Sequence, residues 1–307
     1  MKILIPGAAG AIGRKLAARL QESGHDVIGI DRRAWPNAPI EFHQVDVRKR
    51  AAEDVFRRVR PEVVIHMATV TSLVVSKEDE RSLINVSGTR AVFEYARAFA
   101  VEHCVFVGRH TFYGAGPDSP LFHTEDEPPL ELDRYPELAD MAAADLYAST
   151  ALWRFPELTT TVLRLCYSLG PDGHGTLAAF LMGRRVPLVF GFDPLFQFLH
   201  EDDYVSAIAL AVAKRPRGVF NVAGPQALPL SSVVIEAHRT PIWIPEFLVS
   251  GLQGRLGLPR LARGAIAHLK YPVVVDARAF REHTGFHHEH DELETLRAFR
   301  EAFPLSR

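Results

Sequence analysis

The sequence predicts an α/β chain: a doubly wound parallel sheet with a smaller C-terminal lobe. Three observations carry this. Short apolar runs alternate with helical patterns through the first half of the 307 residues, the pattern of a parallel sheet covered by helices on both faces. The first apolar run ends in Gly7, Gly10 and Gly13, at three-residue spacing. After residue 170 the alternation becomes irregular. The division expected is a sheet domain over 1–170 and a lobe over 171–307, with Gly218–Val222 returning one strand to the sheet.

Lys2–Pro6 reads as a buried strand, and Ile12, Leu16 and Leu20 place one apolar face on the helix that follows. Val27–Ile30 is a second strand, ending on Asp31. Strand, glycine turn, helix, strand and terminal acid make a dinucleotide-binding unit, a Rossmann pattern. Glycines let the backbone approach a pyrophosphate, the helix N-terminus offers it unpaired N–H groups, and Asp31 can accept from a ribose diol. Further strands are expected at Ile40–Val45, Val63–Met67, His103–Val107 and Thr160–Cys166. Helices are expected at Ala51–Arg60, Glu78–Ala100 and Leu138–Phe155. Ala115–Pro136, with six prolines, is long enough for a lid or pocket wall.

In the C-terminal part, Leu177–Met182, Asp202–Lys214, Pro229–Arg239 and the run Leu293, Leu296, Phe299, Phe303 are read as helical. Val186–Phe190 is strand-like. Thr240–Lys270 is apolar but broken by Pro and Gly; it reads as a cover over the lobe, with a membrane-surface patch as the alternative. No repeat or low-complexity segment occurs.

A formal net charge of −2 excludes a global field for nucleic acid or membrane. Cys104 and Cys166 lie in apolar runs, which suits buried thiols in a reducing compartment rather than a disulfide. The longest uncharged stretch, Gly218–Ile235, is broken by Asn221, Gly224, Pro225 and Pro229, so no membrane span is expected and a cytoplasmic protein is. There is no C-x-x-C or H-E-x-x-H; His287, His288 and His290 read as a solvated turn, with a metal site as the alternative.

The ordered set of motifs resembles the extended short-chain dehydrogenase/reductase superfamily, in its NAD-dependent epimerase/dehydratase branch. It comprises Gly7-x-x-Gly10-x-x-Gly13, Asp31, Asp46-Val47, His66-Met67-Ala68, Asn85-Val86-x-Gly88-Thr89, Phe112-Tyr113-Gly114, Leu163-Arg164-Leu165 with Gly170-Pro171, and His200-x-Asp202-Asp203. The resemblance implies that Gly7, Gly10, Ala11 and Ile12 lie along the pyrophosphate and Asp31 on the adenosine ribose, with Arg32 beside it. It places Asp46 and Val47 at the adenine and Met67, Ala68 and Thr69 along the cofactor. It also implies a homodimer through helices 78–100 and 138–155. Asp31 favours NAD, since a carboxylate repels a 2′-phosphate; Arg14, Arg32 and Arg33 stand close enough to turn the preference to NADP.

The family's chemistry rests on a Tyr-x-x-x-Lys pair, and none of the seven tyrosines has Lys four residues on. Met141 falls at the Tyr position and Asp145 at the Lys position. Arg109 stands where a Ser is usual, and two roles are open to it: an ion pair with Asp145 that fills the site, or binding of an anionic substrate or oxyanion. His110 and Tyr113 are the nearest substitute proton carriers, with a plain loop role as the alternative for His110. Phe196 replaces the Arg that grips a nucleotide diphosphate in sugar-nucleotide members. Phe190, Phe192, Phe196 and Phe198 read as one buried strand face, or as pocket lining for a less polar ligand. Arg184, Arg185, Arg255, Arg260 and Arg263 are candidates for phosphate or for solvated surface, and His200 with Asp202 and Asp203 reads as a helix cap. Two functions follow: an atypical NAD(P)-dependent oxidoreductase or epimerase-like enzyme with a non-standard proton donor, or a catalytically silent NAD(P)-binding sensor or interaction protein.

Overall fold

The computed structural model describes residues 1–70, 78–130, 132, 135, 139–248 and 263–305. Seven strands form the main sheet: β1 (Lys2–Pro6), β2 (Asp26–Asp31), β3 (Glu41–Gln44), β4 (Val63–His66), β5 (His103–Arg109), β7 (Thr159–Leu165) and β11 (Gly218–Val222). Their order is β11-β7-β5-β4-β1-β2-β3, and every pairing is parallel. Such strands are covered on both faces, so they need apolar side chains on both; Ile3, Leu4 and Ile5 of β1 are all fully buried. Strand order reverses between β1 and β4, and ligands of doubly wound sheets bind outside the C-terminal strand ends at such a point.

One face of the sheet packs on α1 (Ala11–Glu22) and α7 (Glu201–Lys214), the other on α2 (Arg50–Val59), α4 (Gly88–Ala98) and α5 (Ala139–Arg154). Side chains of a strand alternate between faces. In β5, Val105 and Val107 point to the α1/α7 side, and Cys104 and Phe106 to the α5 side. By that alternation Gly108 falls on the α5 side, where Asp145 packs beside it.

The single helix expected over 78–100 is instead α3 (Glu78–Ser82), a π turn at Leu83–Ser87, and α4. The 115–136 connection contains β6 (Phe122–His123), which pairs with β14 (Val274–Val275), tying the connection to the C-terminal part of the chain. There, β8 (Tyr167–Leu169), β10 (Leu195–His200) and β12 (Ala227–Pro229) make a three-stranded sheet. It packs with α6 (Thr176–Leu181), α8 (Leu230–Glu236) and the helix Glu292–Ala302. The opening of the 240–270 stretch is regular after all: β13 (Thr240–Ile244) pairs with β9 (Arg185–Val189). Residues 249–262 of that stretch lie outside the described residues. Among the described residues, no helix is long and apolar enough to cross a membrane. Cys104 and Cys166 are buried and free.

Candidate functional site

The turn after β1 is built on close approach. Gly7 has φ +96°, and a Cβ there would lie 2.5 Å from the Met67 carbonyl carbon. A Cβ on Gly13 would lie 2.6 Å from the Gly7 carbonyl oxygen. The turn, the end of β4 and the first turn of α1 therefore meet with no room for side chains. Gly10 caps α1 without a side-chain bond, leaving the helix N-terminus open to an anion.

A cavity of about 330 Å³ opens over this turn. Gly7, Gly10, Ile12, Asp31, Arg32, Asp46, Val47, Met67, Ala68 and Thr69 all line it. Ala11 of the expected set does not; it is the first residue of α1. Asp31 is 5% exposed and accepts four hydrogen bonds: from the Ala9 N–H at 3.1 Å, the Arg33 N–H at 2.9 Å, and Arg33 Nε and Nη2 at 3.1 and 2.9 Å. Arg32 reaches outward to Glu80 at 3.0 Å. Arg48 holds Asp46 through its backbone N–H and guanidinium, which keeps that carboxyl below the usual range.

At the other end the cavity is lined by Val107, Arg109, Ser168, His174 and Tyr204. Asn85, in the π turn, clasps its Thr69–Val70 wall: its Oδ1 accepts from the Val70 N–H at 2.7 Å and its Nδ2 donates to the Val70 carbonyl at 3.1 Å. The 170–175 loop is pinned by the buried Glu201, which accepts from the N–H groups of Asp172 and His174. Burial and the charges of Arg109 and Arg33 push the His174 imidazole down from its ordinary range, so it is neutral at pH 7. Ser168, His174 and Tyr204 escaped the sequence reading. A signal for His174 exists in its flanking glycines, Gly173 and Gly175, both at positive φ.

Several expected roles change. Arg109 does not pair with Asp145. Asp145 packs beside Gly108, and Arg164, opposite Gly108 in the β5–β7 register, takes the carboxylate at 2.9 Å. Tyr113 is not a free proton carrier: it is fully buried, accepts from Arg164 Nη1 at 2.9 Å, donates to Asn221 Oδ1 at 2.8 Å and stacks on His123. Burial pushes its phenol up to about 12. His110 is 1% exposed, its Nδ1 lies 3.3 Å from the Leu165 carbonyl, and its ring packs edge-on to Tyr167. Burial, then the charges of His268 and Arg109, hold it well below its ordinary range. Neither residue lines the large cavity. Met141 and Asp145 meet Arg109 only around a small cavity beneath it.

Phe196 and Phe198 are buried in the C-terminal core, Phe196 stacked on Tyr167, whereas Phe190 is exposed; they do not line the large cavity. Arg184 and Arg185 are exposed, Arg263 begins the helix Arg263–Ala267, and Arg255 and Arg260 lie outside the described residues. His200 caps α7 by accepting from the Asp202 N–H, and Asp203 accepts from the N–H groups of Glu289 and His290. His288 and His290 are therefore part of a packed turn rather than a solvated one. His200, Asp202 and His290 come together, but Lys15 already holds Asp202 at 3.2 Å and His200 Nδ1 is used by the cap.

The fold and site define an extended dinucleotide-binding α/β protein, and the comparisons narrow the class. Residues 3–223 match the NAD dependent epimerase/dehydratase family, and the chain belongs to it. It is 28% identical over 298 residues to an uncharacterized protein of Mycobacterium tuberculosis, covering 92% of this chain and 79% of that one. It is 30% identical over 288 residues to a 3-diazoavenalumate denitrifying reductase of a Streptomyces species, covering 86% and 92%. Among solved structures, the UDP-glucose 4-epimerase of Thermus thermophilus in complex with NAD superposes with a TM-score of 0.79 at 24% identity, over 99% of each chain.

Proposed function

We propose that this chain binds NAD(H) in the large cavity and is an oxidoreductase or epimerase-like enzyme that works without a Tyr-x-x-x-Lys pair. The observation that carries this is the convergence of the glycine turn, Asp31, the Met67–Thr69 wall, Arg109 and His174 on one cavity. The cradle fits the cofactor: Gly7 and Gly13 leave backbone where a Cβ would clash, and the α1 N-terminus is open. The name of the Streptomyces relative makes that protein a reductase, and the Thermus neighbour was solved with NAD; both support the reading.

NAD(H), when bound, would supply hydride chemistry, with Gly7, Gly10, Asp31 and the Met67–Thr69 wall to hold it. The protein then has three tasks. The Asn85 clasp on Val70 and the Glu201 anchor on His174 set the width of the site. Val107 and Tyr204 form part of its wall. His174, neutral at pH 7, takes up a proton at its ring nitrogen in the oxidative direction and returns it in the reductive one. Arg33 beside Asp31 keeps NADP(H) open as an alternative cofactor. The two buried free thiols support a cytoplasmic setting.

The test is titration with NADH and NADPH, followed by fluorescence and thermal shift. Saturable binding of one pair supports the reading, and His174→Ala then lowers hydride turnover without changing cofactor affinity. Failure of both cofactors to bind overturns it. A second reading, a silent NAD(H)-binding sensor, is favoured by one observation: Asp145, at the family's Lys position, is locked to Arg164. Binding without consumption of bound NADH across a carbonyl substrate screen would select it.

A further inference from the structure

Four arginines of the described residues are buried, and three are answered. Arg164 meets Asp145, Arg81 meets Asp140, and Arg239 donates to the carbonyls of Leu181, Ala237 and Phe303. Arg109 is the exception. It is 9% exposed, its Nε is buried with no hydrogen-bond partner, and its guanidinium has no ion pair among the described residues. A mostly buried cation with no counter-charge is costly, and a ligand in the cavity that Arg109 lines can supply the missing charge.

The position says which ligand. Arg109 ends β5, two strands across from the glycine turn of β1, or about 10 Å at ordinary strand spacing. It lines the cavity at the end away from the pyrophosphate cradle, among Val107, Ser168, His174 and Tyr204. His174 beside it is held below its ordinary range, by burial first and then by the charges of Arg109 and Arg33. Around Arg109 stand the Ser168 and Tyr204 hydroxyls, the His174 ring and one apolar wall, Val107. A planar guanidinium fork can hold a carboxylate in two parallel hydrogen bonds.

We propose that Arg109 is the binding residue for a carboxylate on the substrate, held at the reacting end of the cavity. The inference rests on the reading of this cavity as the NAD(H) site. It gives the substrate class as a carboxylic acid.

The test uses benzoate as the probe and benzamide as its neutral isostere, at constant ionic strength, on NADH-loaded protein. Benzoate is expected to raise Tm saturably and benzamide is not. Arg109→Gln removes the benzoate response while NADH affinity stays within about twofold; Arg109→Lys keeps part of it. Without ligand, Arg109→Gln is expected to melt at a higher temperature, since it removes an unanswered buried charge. Should that variant fail to fold, the benzoate–benzamide comparison on wild type decides alone. Three results overturn the proposal: no benzoate response in wild type, an unchanged response in Arg109→Gln, or a loss of NADH affinity of about tenfold in Arg109→Gln, which would assign the residue to the cofactor's phosphates. If NADH does not bind, benzoate is titrated into the cofactor-free protein. An Arg109-dependent response there keeps the carboxylate site while the cofactor reading falls, and its absence overturns both.

Discussion

Asp145 and Arg164 form a closed ion pair at 2.9 Å, with side chains 2% and 3% exposed. The Arg164 guanidinium also lies over the Phe112 ring and donates to Tyr113. Breaking a buried pair from one side strands the other charge. Asp145→Ala is therefore expected to lower the unfolding free energy by about 3–5 kcal/mol. Replacing both residues, as Asp145→Leu with Arg164→Met, is expected to cost much less, because no charge is left unpaired. Urea denaturation of the single and double variants checks this; equal losses in both would refute the pairing energetics.

The adenosine end carries a second prediction. Asp31 accepts four hydrogen bonds, about the capacity of a carboxylate, and two come from the Arg33 side chain. A ribose diol must displace Arg33 to reach it. Arg33→Ala is expected to strengthen NADH binding and to weaken NADPH binding, since a 2′-phosphate would lose its cation. A change in the NADPH-to-NADH Kd ratio of about tenfold or more is expected from charged hydrogen bonds of this kind. Fluorescence titration of both cofactors measures it. An unchanged ratio would mean that Arg33 does not face the ribose.

What the sequence made legible, and what it hid, separates along physical lines. The glycine turn, Asp31 and the Met67–Thr69 wall are local: each follows from residues within one strand–turn–helix unit. Val63 and His103 stand beside each other in the sheet because parallel strands of this spacing have few alternatives. Arg109 and Arg164 show the limit. Which of them meets Asp145 depends on face alternation in β5 and on the β5–β7 register, and neither is written locally. The pairing of Thr240–Ile244 with Arg185–Val189 was hidden for the same reason, and Pro241 and Pro187 mask both strands. His110 and Tyr113 looked catalytic by residue type; that both are buried away from the large cavity is a property of the whole fold.

Buried neutral histidines make stability depend on acid. Burial lowers His66 to about 3, and His103 and His268 to about 4, with Arg215 adding to the effect on His103. The unfolded chain takes up these protons near pH 6.5 and the native state does not. Folding stability is thus full above pH 6.5 and falls as pH drops toward 4. The slope is up to about 1.4 kcal/mol per pH unit for each group. Urea midpoints measured from pH 7.5 down to 4.5 are expected to fall steeply below pH 6. His103→Gln is expected to reduce the slope by about one group's share. A flat profile would show that these imidazoles are charged or solvated in the folded protein.

The last prediction concerns assembly. On α5, Leu146, Thr150 and Trp153 form one exposed stripe, with Leu146 42% and Trp153 75% exposed. Leu83, 54% exposed, lies with Ser87 and Arg90 on the adjoining π turn and α4. The two helices are locked together by the Tyr147 hydroxyl on Glu94 at 3.1 Å and by the edge contact of Phe93 with Tyr147. Both sets of exposed residues are therefore carried on one packed helix pair. An exposed Trp with two exposed leucines on packed helices is the composition of an interface core. A second copy related by a two-fold axis would cover it with the same residues, giving a four-helix contact. Light scattering at micromolar concentration is expected to give twice the 34.2 kDa chain mass. Trp153→Glu with Leu146→Glu is expected to give monomer without loss of helical circular dichroism, since both side chains point away from the core. Monomer in the wild type would show that this face serves another partner or none.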